Sequence, residues 1–163
     1  MRIVITSNEN HNQNTSSVST RSLDKEVEKR LSDHDVRYTS GRKTVVSAMA
    51  DAEGPLSAAE LHETIEGTLP LSSIYRSLTV LEETGVLSPH HGTKGLTRYE
   101  LAEWLKGHHH HLVCVECGVV EDVEVTEQHE RQVGTVVSEI SAQAEFSPLN
   151  HALEIEGRCS RCQ

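Results

Sequence analysis

The sequence predicts an α+β chain. An N-terminal winged helix-turn-helix domain of the DNA-binding kind precedes a small α/β dimerisation domain with a four-cysteine zinc site. Three observations carry that prediction. All four cysteines fall in two Cys-x-x-Cys pairs, Cys114/Cys117 and Cys159/Cys162. Four consecutive histidines, His108 to His111, run into the first pair. Ahead of them, short helical patterns give way to two strand-like stretches around a Gly92–Gly95 turn.

Residues 1–22 are rich in Asn, Ser and Thr without apolar period, and read as a disordered tail with His11 solvated. Residues 23–101 read as the winged-helix domain. Its first helix is expected near Asp24 as N-cap, with Val27 and Leu31 on one face. A second helix after Thr39 and Ser40 carries Val45, Val46 and Met49, until Gly54-Pro55 breaks the chain. Ser57-Ala58-Ala59-Glu60 fits a capping box, with Ala58, Leu61 and Ile65 inward behind it. After a turn at Gly67–Pro70, a helix over roughly Leu71 to Thr84 buries Ile74, Leu78 and Leu81, with Gly85 as its C-cap.

Two short helices joined by a tight turn suggest a helix-turn-helix. The opposite face of the second presents Ser72, Arg76 and Thr79, short hydroxyls and a guanidinium suited to phosphate or a guanine edge. Ser73, Tyr75 and Arg42 are further DNA-contact candidates. Strands near Val86–Ser88 and Leu96–Leu101 make a wing, with Lys94 and Arg98 available to the DNA backbone.

Residues 102–107 are the expected hinge, and 108–163 the metal-binding dimerisation domain. Strands are expected at Leu112–Cys114 and Val119–Val125, and a helix from about Glu127 to Gln143 with Val133, Val136, Val137 and Ile140 on one stripe. A last strand places His151, Leu153 and Ile155 on one face. This half has few apolar residues, so a structural metal and a second copy of the chain are expected to complete its core.

The thiol spacing is that of a four-thiolate zinc site; two separate redox pairs would leave the symmetry of the motif unexplained. If the histidine run enters a strand, His108 and His110 share one face and His109 and His111 the other, so one run can feed two metal sites. The net charge of -10 is concentrated in residues 102–163, where bound divalent cations would offset it. Weak non-specific attraction to DNA is the expected cost. No apolar run is long enough to span a membrane, and no secretory leader is evident, so a cytoplasmic protein is expected.

With these elements in view, residues 23–162 resemble the Fur (ferric uptake regulator) family. The resemblance rests on His-His-His-His-Leu-Val-Cys-Val-Glu-Cys-Gly at 108–118, Asn-His-Ala-Leu-Glu-Ile-Glu-Gly-Arg-Cys-Ser-Arg-Cys at 150–162, and Ser-Ser-Ile-Tyr-Arg-Ser-Leu at 72–78. It implies a metal-dependent transcriptional repressor that binds a twofold-symmetric DNA operator as a homodimer, controls metal uptake or homeostasis genes, and is not an enzyme. The family's structural zinc falls on Cys114, Cys117, Cys159 and Cys162. Its regulatory site falls on His109 and His111, joined by Glu100 by the Tyr-Glu-Leu motif or by Glu103 by distance to Cys114.

The histidine that many members supply from the DNA-binding half is missing at Gly54-Pro55-Leu56, and His90 or His91 on the wing is the substitute. A further site falls on His108, His110 and His151, with His129 at the position of its usual acid and Asp122 an optional ligand nearby. Nitrogen and oxygen donors suit iron, zinc, manganese and nickel alike; iron is expected slightly ahead of zinc, and both ahead of manganese or nickel. A peroxide- or redox-sensing regulator of the same fold is the alternative. A hydrolytic metalloenzyme is a more distant one, since nothing in the sequence suggests a substrate pocket.

Overall fold

The computed structural model describes residues 20–91 and 95–163. The expected tail therefore lies almost wholly outside the described residues, as does Lys94. Helix α1 (Thr20–Ser32) begins before Asp24, because the Asp24 carboxylate instead accepts the Tyr38 hydroxyl at 2.8 Å. Helix α2 (Ser40–Asp51) starts at a Thr39 cap. Strand β1 (Leu56–Ser57) leads into α3 (Ala58–Thr64), and the capping box forms as expected. The Ser57 hydroxyl accepts the Glu60 amide at 3.3 Å, and the Glu60 carboxylate accepts the Ser57 amide at 2.9 Å.

Helix α4 (Leu71–Glu83) buries Ile74, Leu78 and Leu81. It ends in a paired stop: the Gly85 amide donates to the Glu82 carbonyl and the Val86 amide to the Leu81 carbonyl. That closure needs a left-handed residue, and Gly85 supplies it at φ 67°. Strands β2 (Leu87–His91) and β3 (Thr97–Leu101) form the wing, and β3 also pairs with β1. The four helices and the inner wing residues enclose one core in which Val27, Leu31, Val45, Leu61, Ile74 and Leu81 are buried completely.

The expected hinge folds into a short helix, α5 (Glu103–Lys106). The Trp104 indole N–H donates to the Gly85 carbonyl at 2.8 Å, anchoring α5 to the end of α4. Then β4 (His110–Cys114), β5 (Val120–Val123), α6 (Glu127–Gln143) and β6 (Glu154–Gly157) build the C-terminal half. Its sheet runs β5-β4-β6, with β5 antiparallel and β6 parallel to β4. The α6 stripe stays open in the single chain, with Val136 52% and Ile140 61% exposed. Among the described residues no helix is long and apolar enough to cross a membrane.

Strand β3 alternates in the way a two-faced strand must. Tyr99 packs against the helical core and Leu101 lies in it, while Arg98 and Glu100 face the C-terminal half, 6% and 5% exposed. Arg98 is therefore not a DNA-backbone contact: its guanidinium is buried between the two halves. The wing is the wall on which the metal-binding half leans.

Candidate metal centres

Cys114 ends β4 and Cys117 sits in the turn that Gly118 closes at φ 72°, where a side chain would be strained. Cys159 and Cys162 lie in the last turn, held by a Cys162 amide to Cys159 carbonyl bond at 2.9 Å. The four sulfurs are all within 4.8 Å of one another, and Cys117 Sγ is 3.8 Å from Cys159 Sγ. A tetrahedron of 2.3 Å Zn–S bonds has edges of about 3.8 Å. Backbone amides of Cys117 and Cys159 draw the Cys114 thiol down to about 6, which favours the thiolate that ligation requires. Hydrogen bonding with the Cys159 and Cys117 thiols pushes Cys162 up to about 12, and a bound cation would reverse that.

The second set converges on Glu100. Its Oε1 lies 2.6 Å from His90 Nε2 and 3.1 Å from His111 Nε2, and its Oε2 is 2.8 Å from His109 Nε2. Asp122 Oδ1 is 3.7 Å from His111 Nε2 and 4.0 Å from His109 Nε2. Strand register explains the gathering. His111 faces Asp122 on one neighbouring strand and Glu154 on the other. Ser88 pairs with Glu100, so His90, two residues on, shares its side of the wing.

Burial opposes the charge on Glu100, yet the His111, His90 and His109 imidazoles beside it hold it well below the usual carboxylate range. Burial likewise works against protonating His90, and the Glu100 carboxylate more than offsets that and raises it. His90 Nδ1 lies 3.5 Å from Glu154, so His90, His111 and Glu154 form a further overlapping donor group. His91 turns outward to Thr97 and takes no part.

The third set gathers His108, His110 and His151 around Glu130 of α6. His110 Nε2 is 2.8 Å and His151 Nε2 3.0 Å from its carboxylate, and His108 Nε2 is 3.4 Å away. Two expectations need correction here. His129 is exposed and outside the set; Glu130 is the acid. The Thr126 cap fixes the phase of α6, and one residue is a rotation of about 100° around a helix. Glu103 does not join the Glu100 set either: it accepts from His108 Nδ1 at 2.8 Å, because the hinge winds into α5 instead of running extended.

The fit of both sets to divalent cations can be read from their atoms. Asp122 Oδ1, His111 Nε2 and His151 Nε2 are buried without an aligned hydrogen-bond partner among the described residues. The two imidazole nitrogens lie near carboxylates but off the line that an N–H···O bond needs, and Asp122 Oδ1 is too far from its imidazoles to accept from them. A cation already stands in the Glu100 set: the Lys106 ammonium is 3.3 Å from Glu100 and also pairs with Asp122. Sequence reading missed Lys106, Glu130 and Glu154. Only Glu130 had a local signal, four residues after a Thr cap.

On the recognition face of α4, Ser72, Tyr75, Arg76 and Thr79 are exposed and Ser73 is half-buried. The Arg76 guanidinium donates to the Ser73 hydroxyl at 3.4 Å. Arg42 is half-buried, and its guanidinium turns back onto the Arg37 carbonyl.

A winged helix-turn-helix joined to a four-thiol, histidine-rich α/β half defines a metal-responsive regulator of the winged-helix class. The model of the ferric uptake regulator family matches residues 33–156, and the chain belongs to that family. It is 36% identical over 138 residues to the ferric uptake regulation protein of Neisseria meningitidis, spanning 82% of this chain and 90% of that one. The crystal structure of the Vibrio cholerae ferric uptake regulator superposes with a TM-score of 0.64 at 27% identity, covering 81% of this chain and 98% of that one. The Pseudomonas aeruginosa ferric uptake regulator solved with manganese superposes with a TM-score of 0.60 at 26% identity, covering 82% and 97%. These relatives lend no support to the peroxide-sensing alternative.

Proposed function

We propose that this chain is a cytoplasmic repressor of metal uptake or homeostasis genes, in which a divalent metal at the Glu100 set acts as co-repressor. Iron stands slightly ahead of zinc, and the naming of its relatives as ferric uptake regulators supports that order. The observation that carries the reading is Glu100 itself. It belongs to the wing, yet it lies within 3.1 Å of two imidazoles of the C-terminal half, His109 and His111, and of His90 on the wing.

A bound cation supplies the positive centre that lets these donors sit together at one mutual angle of the two halves. Glu100 and His90 move with the recognition helix, and His109, His111 and Asp122 move with the C-terminal sheet. In a homodimer built on the open α6 stripe, that angle sets the separation of two α4 helices. On a twofold operator they must stand about one DNA turn apart, roughly 34 Å. Shifting such an equilibrium from 1:99 to 99:1 takes about 5.5 kcal/mol of differential binding, within reach of a site of several ligands. The four thiols would hold structural zinc, and the set around Glu130 would hold a further ion. The reading assigns regulation, not turnover, to all of these residues.

The test is an operator titration with and without Mn2+, Fe2+ and Zn2+ on wild type and on a His109→Ala, His111→Ala double variant. The double variant should stay dimeric and lose the metal-dependent gain. Equal gain in both proteins refutes the assignment.

A further inference from the structure

Arg98 is the buried cation that none of the metal sets uses. Its Nε donates to the Gly118 carbonyl at 2.9 Å, in the turn that carries the first thiol pair. Its Nη1 donates to the Pro55 carbonyl at 3.3 Å and also pairs with Glu60. Glu60 is the acid of the capping box, and its Oε2 accepts the Ser57 amide at 2.9 Å and the Ser57 hydroxyl at 2.7 Å. One guanidinium thus ties the four-thiol turn to the start of α3, the first helix of the helix-turn-helix. Burial opposes the Glu60 charge, but the bonds from Arg98 and Ser57 keep its carboxyl below the ordinary value.

The two halves touch closely beside it. A Cβ built on Gly54 would stand 2.9 Å from the Val120 carbonyl of β5, so this seam admits no side chain. The planar fork of Arg is what allows one cation to serve Gly118, Pro55 and Glu60 at once; a lysine ammonium offers a single point.

We propose that Arg98 is a positioning residue that transmits the state of the four-thiol turn to the helix-turn-helix, fixing the angle of α4 separately from the Glu100 set. The proposal rests on the DNA-binding reading above. It gives the thiol site a second role. Besides holding the C-terminal half together, its turn presents the carbonyl against which the DNA-binding half is aligned.

Two independent variants test it. Arg98→Lys keeps the charge and loses the fork; Gly54→Ala wedges the same seam without touching Arg98. At saturating Mn2+, each should bind operator about tenfold more weakly, inside the usual range of coupling between sites. Dimer mass and thiol-bound zinc should match wild type, and the Mn2+ midpoint of the Glu100 set should stay within about twofold of it. Wild-type operator affinity in both variants overturns the strut and leaves the proposed function standing. A loss of affinity in step with lost zinc or lost dimer also overturns it, because Arg98 would then only hold the fold. A wild-type chain that binds no operator at any metal concentration overturns the proposed function and the strut with it.

Discussion

Arg98 and Glu100 leave the same face of β3 two residues apart and reach different candidate metal centres. The first ends on the Gly118 carbonyl beside the thiols, and the second ends among His90, His109 and His111. A single wing strand therefore connects the DNA-binding half to both the thiol turn and the hinge cluster. Removing either partner of a buried charge pair costs more than removing an exposed one, because the survivor stays charged without compensation. This strand is where substitutions should separate DNA binding from folding.

Cys114→Ser should unfold the C-terminal half or leave it monomeric. A structural zinc contributes roughly 10–16 kcal/mol of apparent binding free energy, more than a half with so few buried apolar residues can replace. Zinc content and sedimentation of the purified variant measure this, and a stable dimer with unchanged zinc contradicts it.

Glu130→Gln should weaken metal binding at the His108, His110, His151 set by about tenfold or more, since it removes the carboxylate that all three imidazoles face. His129→Ala should change nothing at that set, because its side chain is on the exposed side of α6. Isothermal titration of both variants decides between the two neighbours.

Arg76→Ala should lower specific operator affinity by about 1–3 kcal/mol if its guanidinium reads a base. The side chain is exposed and, among the described residues, hydrogen-bonded to the Ser73 hydroxyl alone, so stability should hardly change. Fluorescence anisotropy with operator and scrambled DNA separates lost recognition from lost charge.

Metal and protons compete for the Glu100 set, and the signs differ between the two states. In metal-free protein the raised His90 contributes stability at pH below its unfolded value of about 6.5, lost as pH rises through its higher folded value. The lowered Glu100 contributes stability above about 4.3, lost as pH falls through its depressed value. The pair is thus fully stabilising between about 4.3 and 6.5. Ligation needs neutral imidazole, so the gain in melting temperature on adding Mn2+ should grow as pH rises past about 6.5. Thermal melts across pH 5–8 test this, and a metal-induced gain that is larger at pH 5 than at pH 8 contradicts it.

Much of the architecture was legible in the chain because its signals are local. The capping box at Ser57–Glu60, the stop at Gly85 and the bounds of α6 at Glu127–Gln143 appear where short-range chemistry put them. So did the division of the histidine run, since alternation along a strand sends 108 and 110 one way and 109 and 111 the other. Asp24 failed as a cap because a distant hydroxyl, Tyr38, claimed its carboxylate.

By itself, then, the sequence determined the thiol quartet, the two-way split of the imidazoles, the helix-turn-helix with its wing, and the family. The tertiary structure decided which group completes each set: Glu100 rather than Glu103 beside His109 and His111, Glu130 rather than His129 beside His108, His110 and His151, with Arg98 turned inward instead of toward DNA. The reason is geometric. A one-residue change of helix phase rotates a side chain by about 100°. A hinge can wind into a helix such as α5 rather than extend, and strand register brings together residues far apart in the chain. Neither outcome leaves a mark in any short stretch of residues.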